Sequence, residues 1–222
     1  MAPPRVAFYA TKDTSILLVR CYEVRDQIEI LDEVDAALDD TNVNLFCELL
    51  NELVEEVGPD VIRFMMLTQK PETPIDFDIK KAVEMSSDNP VFYVQYAHAR
   101  ICSLFRKIND ENINFDIDLQ SISPQLNNPG ELNLIKKISI WPNVVISSAT
   151  RNEPHKIVYY LQELANLFHS HWNQGLKNKE IRFIQDKDEL LTKSRLLMCY
   201  AVSKVIANGL KLIGVEPLKE MR

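Results

Sequence analysis

Five glycines among 222 residues leave this chain few positions that accept a left-handed backbone, which disfavours a turn-rich all-β fold. Leucine, isoleucine, lysine and glutamate are plentiful instead, a balance that favours helices. With 46% apolar side chains, the chain can bury one substantial core, or one core with a small appended unit. The expectation is a mainly α protein.

The first 45 residues form an acidic segment without an assigned fold. Val6-Ala7-Phe8-Tyr9 and Ile16-Leu17-Leu18-Val19 suit strands, whereas residues 26–40 read as a solvated helix with Ile28, Leu31, Val34 and Leu38 on one stripe. The segment could therefore be α/β. Residues 47–57 read as a helix stopped at Gly58, and Pro59 then opens a second helix through Met66. Pro71 and Pro74 mark a loop. Ile75-Asp76-Phe77-Asp78 leads from it into a short helix over residues 80–85, which Asp76 and Asp78 are placed to cap. Asp88-Asn89-Pro90 is the sharpest helix start, with Asn89 as cap and Pro90 in the first turn of a helix reaching about Ile108. Residues 109–130, rich in Asn, Asp and Pro, form a loop. Helices follow over residues 131–140, 154–176 and 188–212, the last ended by Gly214. The domain plan is thus 1–45, 46–108, 109–130 and 131–222.

Charge divides the chain unevenly. Residues 1–60 carry 4 Lys or Arg against 14 Asp or Glu, a net of -10, although the whole chain stands at only -7. The remainder is slightly basic, and its cations thicken toward the C-terminus. Cys21, Cys47, Cys102 and Cys199 lie far apart, which suits reduced, buried thiols and a cytoplasmic setting. No window approaches the roughly 18 apolar residues of a membrane span, and Met-Ala-Pro-Pro-Arg lacks the apolar core of a secretory signal.

Several strings occur in an informative order. They are Asp60-Val61-Ile62-Arg63-Phe64-Met65-Met66-Leu67, the Ile75–Asp78 tetrapeptide, the run from Asp88-Asn89-Pro90 through Tyr96-Ala97-His98-Ala99-Arg100, then Phe168-His169-Ser170-His171-Trp172-Asn173 and Ala207-Asn208-Gly209-Leu210. Over residues 53–222 this order resembles bacterial-type arginyl-tRNA synthetases. The resemblance implies stem-contact helices followed by the helical-bundle, DALR-type anticodon-binding domain of that class I enzyme, with tRNA(Arg) as partner. The family's HIGH-type and KMSK-type ATP-site signatures belong upstream, and residues 1–52 contain neither. Activating an amino acid requires groups that stabilise charge at the α-phosphate of ATP. No catalytic residue or metal ligand is therefore expected here. ATP and Mg belong to the full-length family, and charging would need a separate catalytic chain. An alternative is a truncated paralogue whose acidic N-terminus faces a protein partner.

Unpaired loop bases are recognised by stacking on aromatic rings and by hydrogen bonds at their edges. Tyr93 and Tyr96 are neighbours on a helix, and Ala97 is small enough to admit a base. By resemblance these positions, together with Trp172 and Met221, line an anticodon pocket. The spacing of the tyrosines equally suits a core stripe, and Trp172 also suits a core position. Arg100 suits either a phosphate or a neighbouring helix, and His98 suits a hydrogen-bonded structural role. Lys177, Lys179, Arg182, Arg195 and Lys204 are candidates for phosphate contacts, or else solvated surface charges.

Overall fold

The computed structural model describes residues 5–10, 17–22, 54–68, 70, 75–78, 82, 89–110, 126–185 and 187–221. The helices expected over residues 26–40, over most of 47–57 and over most of 80–85 lie outside these. The chain divides into two compact units, Met1–Phe92 and Tyr93–Arg222.

In the first unit, strands β1 (Arg5–Ala10), β2 (Leu17–Tyr22) and β3 (Ile75–Asp78) form a sheet of order β2-β1-β3. Both pairings are antiparallel, with Arg5 opposite Tyr22 and Asp78. The two apolar runs of the N-terminus are thus strands. Ile75–Asp78, read from sequence as a lead-in to a helix, is a strand as well, because its apolar and acidic residues alternate with the period of a pleated backbone. The capping expected of Asp76 and Asp78, and the thiols of Cys21 and Cys47, lie outside the described side chains. Gly58 adopts φ +89°, and Pro59 then starts helix α1 (Pro59–Met66), which buries Ile62 and Phe64. Asn89 closes the unit: its Oδ1 accepts from the Val91 and Phe92 amides at 3.1 and 3.2 Å, and its Nδ2 donates to the Ala82 carbonyl at 2.7 Å. Helix α2 (Pro90–Asp110) begins at this cap.

The second unit is helical: the rest of α2, then α3 (Pro129–Ser139), α4 (Trp141–Arg151), α5 (His155–Lys177), a 3-10 turn (Lys179–Ile181) and α6 (Glu189–Leu212). Four of these helices, α2, α3, α5 and α6, match the sequence reading to within two residues at each end. Helix α4 was not expected, because its Val144-Val145-Ile146 run loses rotamer freedom in a helix and lowers the propensity signal. Its boundaries are nevertheless written in the chain. Pro142 sits in the first turn and Asn152 ends the helix at φ +53°.

The core is built from stripes at helical spacing. On α2, Val94, Ala97, Ile101, Leu104 and Ile108 are buried, and Leu161, Leu164 and Phe168 on α5 and Leu196, Val202 and Ile206 on α6 have no exposed surface. Helix α5 packs against α3, α4 and α6. At Gly209 a Cβ would stand 2.6 Å from a methyl of fully buried Leu161, so α5 and α6 approach where only glycine fits.

Arg195, a sequence candidate for phosphate, is an internal brace instead. It is 4% exposed, and its Nε donates to Glu131 Oε1 at 2.6 Å. Its Nη1 donates to the Glu180 and Arg182 carbonyls at 2.8 and 2.7 Å. The other Glu131 oxygen accepts the Asn128 amide in a capping box that starts α3. One buried ion pair thereby ties α3, α6 and the connection after α5. Removing one partner strands a buried charge, so Arg195→Ala is expected to lower stability by about 3–5 kcal/mol in urea unfolding. A loss under about 1 kcal/mol would contradict the brace.

Candidate nucleic-acid interface

Along α2, Tyr96, Arg100, Ser103 and Lys107 recur every three or four residues and so share one face of the helix. Trp172 comes to this face from α5. Its half-buried ring rests on Phe168 and Phe183, with centroids 5.8 and 5.7 Å away. The Arg100 guanidinium lies 4.1 Å over the Tyr96 ring and 5.4 Å from that of Trp172, so one cation holds two aromatic planes beside it.

His169 fixes Arg100 from behind. Arg100 Nη1 donates to His169 Nδ1 at 3.0 Å, and His169 Nε2 donates to the Tyr93 carbonyl at 3.0 Å. A guanidinium only donates and a carbonyl only accepts, so the imidazole is neutral with its proton on Nε2. The ring lies 4.4 Å from that of Tyr93 and stacks at 5.5 Å on Tyr96. Burial pushes the His169 pKa down, aided by Arg100 and opposed by the bond to Tyr93.

The C-terminal tail supplies the last wall. Helix α6 ends in a Schellman motif, with Gly214 at φ +72° and the Val215 amide returning to the Leu210 carbonyl at 2.9 Å. The chain then runs along α2, pinned by three side chains. Gln95 Nε2 donates to the Glu216 carbonyl at 3.0 Å, His98 Nδ1 to Leu218 at 2.8 Å and Arg106 Nη1 to Lys219 at 3.1 Å. Val215 is 2% exposed and anchors the start of the run. Met221 is thereby delivered to a cavity of about 560 Å³ shared with Tyr96, Ala99, Arg100, Arg106 and Trp172.

Four of the residues singled out in the sequence thus meet: Tyr96, Arg100, Trp172 and Met221. Tyr93 stands behind the cavity against His169. Ala97 has no exposed surface, because it falls on the core stripe of α2, and the small residue at the cavity is Ala99. Lys177, Lys179, Arg182 and Lys204 are exposed, whereas Arg195 is enclosed. Ala99, Ser103 and Arg106 join the cavity beyond the sequence candidates, and steps of three or four along α2 from Tyr96 reach each of them. No local sequence pattern marks the bond of His169 to Arg100, because the two residues lie 69 positions apart.

The comparisons with known proteins decide the family. Residues 94–221 match the family described as "DALR anticodon binding domain". The chain belongs to the DALR anticodon-binding family. Among its relatives, the arginine--tRNA ligase of Roseobacter denitrificans is 47% identical over 175 residues, covering 78% of this chain and 30% of that protein. The solved Thermus thermophilus arginyl-tRNA synthetase superposes with a TM-score of 0.59 at 25% identity, over 88% of this chain and 33% of that one. A Campylobacter jejuni chain provisionally named arginyl-tRNA synthetase gives 0.66 at 28% identity, over 78% and 35%. This chain therefore spans about 30% of the length of the curated relatives it matches. Among the described residues no helix of this DALR domain is long and apolar enough to cross a membrane.

Three buried histidines give the domain a pH signature. Burial, the largest influence in each case, lowers the pKa of His98, His169 and His171 below the ordinary value of 6.5. An unfolded chain takes up these protons first, so stability is fully present above about pH 6.5 and is lost as pH falls below it toward the folded-state values. The melting temperature should fall between pH 7.5 and 5, and less steeply in His169→Gln. A temperature that holds constant across this range would contradict the neutral, buried assignment.

Proposed function

We propose that the chain recognises the anticodon loop of tRNA(Arg), as the C-terminal part of an arginyl-tRNA synthetase. One observation carries the reading: Tyr96, Arg100, Trp172 and Met221, drawn from α2, α5 and the tail, converge on a single open cavity. Its walls combine two aromatic planes, a thioether and a fixed cation, which is the chemistry an unpaired base requires for stacking and edge contacts. Tyr93 supports the pocket through His169. Lys177, Lys179, Arg182 and Lys204 supply phosphate contacts that set orientation and salt dependence without reading sequence. In this reading ATP-dependent arginylation belongs to a separate catalytic part, and the setting is the cytoplasm.

The test is binding of a tRNA(Arg) transcript and of the same transcript with an altered anticodon, across a salt series. The native anticodon should bind more tightly. Trp172→Ala should cost about 1–3 kcal/mol, roughly 5- to 150-fold, on the native transcript alone. Equal affinity of the wild-type chain for both transcripts would sink the anticodon reading, and absence of binding at low salt would sink RNA recognition altogether.

A further inference from the structure

The buried histidines His98, His169 and His171 use their ring nitrogens differently. His98 Nδ1 donates to the Leu218 carbonyl at 2.8 Å, and its Nε2 meets only the Cys102 sulfur, at 4.0 Å. A second proton on that ring leaves the donation in place. His171 is 1% exposed, and neither of its nitrogens has a hydrogen-bond partner among the described residues, so a proton there breaks no bond. His169 is the exception: its Nδ1 accepts from Arg100 Nη1 at 3.0 Å while its Nε2 donates to Tyr93. An imidazolium has two donors and no acceptor. A proton on His169 therefore removes one specific bond, the one that fixes Arg100.

Charge adds to this change. Among the described residues, the polar groups that face His169 are Arg100, Tyr93 and Tyr96, all on α2, and Phe168 beside it on α5 brings no charge. The one charge that acts on it is that of Arg100, so an imidazolium would meet a guanidinium at hydrogen-bond distance with no carboxylate to offset the repulsion. Arg100 would then leave its place 4.1 Å over Tyr96 and 5.4 Å from Trp172. Burial already disfavours the charged ring, which confines the change to acidic solution.

We infer that His169 is a positioning residue whose protonation frees Arg100 and thereby weakens RNA binding at the cavity of Tyr96, Trp172 and Met221 as the solution is acidified. The inference rests on the reading of that cavity as an RNA site and adds a proton-linked control to it. Its sign is opposite to the common one. Protonating surface groups makes a protein more cationic and strengthens its hold on phosphates, whereas here the added charge dismantles a contact. Affinity is fully present above about pH 6.5 and is lost as pH falls through the depressed pKa of His169.

The test is titration of a tRNA(Arg) anticodon stem-loop onto the full chain at about pH 7.5 and 5.5, in wild type, His169→Gln and His98→Gln, with helical circular dichroism recorded at each pH. Glutamine accepts from Arg100 through its carbonyl, donates to Tyr93 through its amide and does not titrate. Wild-type affinity should fall about 5-fold on acidification while the helical signal holds, a loss on the scale of one cation–aromatic contact. The ratio should be close to one in His169→Gln, taken against that variant's own affinity at the higher pH, and should keep its wild-type size in His98→Gln. NMR titration of the wild-type His169 ring needs no variant: because linkage is reciprocal, bound stem-loop should lower its pKa further. Unchanged or rising wild-type affinity, an equal fall in His169→Gln, a fall that tracks loss of helicity, or a His169 titration unmoved by RNA would each overturn the inference and leave the cavity's reading standing. No binding at the higher pH would remove both.

Discussion

A guanidinium bonded to a buried imidazole organises this domain. Arg100 stays beside Tyr96 and Trp172 because His169 Nδ1 accepts a hydrogen bond from it, and His169 stays neutral because that acceptor role and its own donation to Tyr93 occupy both ring nitrogens. Protonating the imidazole would set an N–H against a cation inside the protein. Burial opposes that, and the same burial that lowers the histidine's pKa holds the arginine's two aromatic neighbours in register. The cost of enclosing polar groups is offset by satisfying them in pairs.

Two other polar devices extend this frame. The Glu131–Arg195 pair ties two helices of the bundle, where one carboxylate oxygen starts α3 and the other holds α6. The tail is fixed through its backbone, with Gln95, His98 and Arg106 binding carbonyls and leaving the tail side chains to serve other ends. Met221 reaches the cavity by this route. The exposed Arg106–Glu220 ion pair adds little, since such pairs contribute about 0–1 kcal/mol. A cavity wall made from an irregular segment gains from such pinning, because unfixed chain pays ordering entropy when it is held in one place.

Much of this was legible in the amino acids. Asn89-Pro90 announces α2, Gly58-Pro59 marks a helix boundary, and Gly214 ends α6, since each requires a local backbone geometry that few residues supply. Ring chemistry pointed to Tyr96 and Trp172. Other features depend on partners distant in sequence: the difference between Arg195 inside and Arg182 outside is set by Glu131, some sixty residues away. Ala97 and Ala99 differ by two positions on one helix, yet only the course of the core stripe shows which one meets the cavity. Helix α4 was hidden by β-branched residues whose propensity is overridden by packing on α5.

The central claim, that a tail pinned to α2 and a tryptophan from α5 form one RNA-reading wall, is tested most directly by NMR on the full chain. The signals to follow are the Trp172 indole N–H and the Met221 methyl during addition of a tRNA(Arg) anticodon stem-loop. Both should shift together with a single binding curve, and a stem-loop with an altered anticodon should move them less. Binding that leaves both signals in place while shifting those of α3 and α4 would contradict the account.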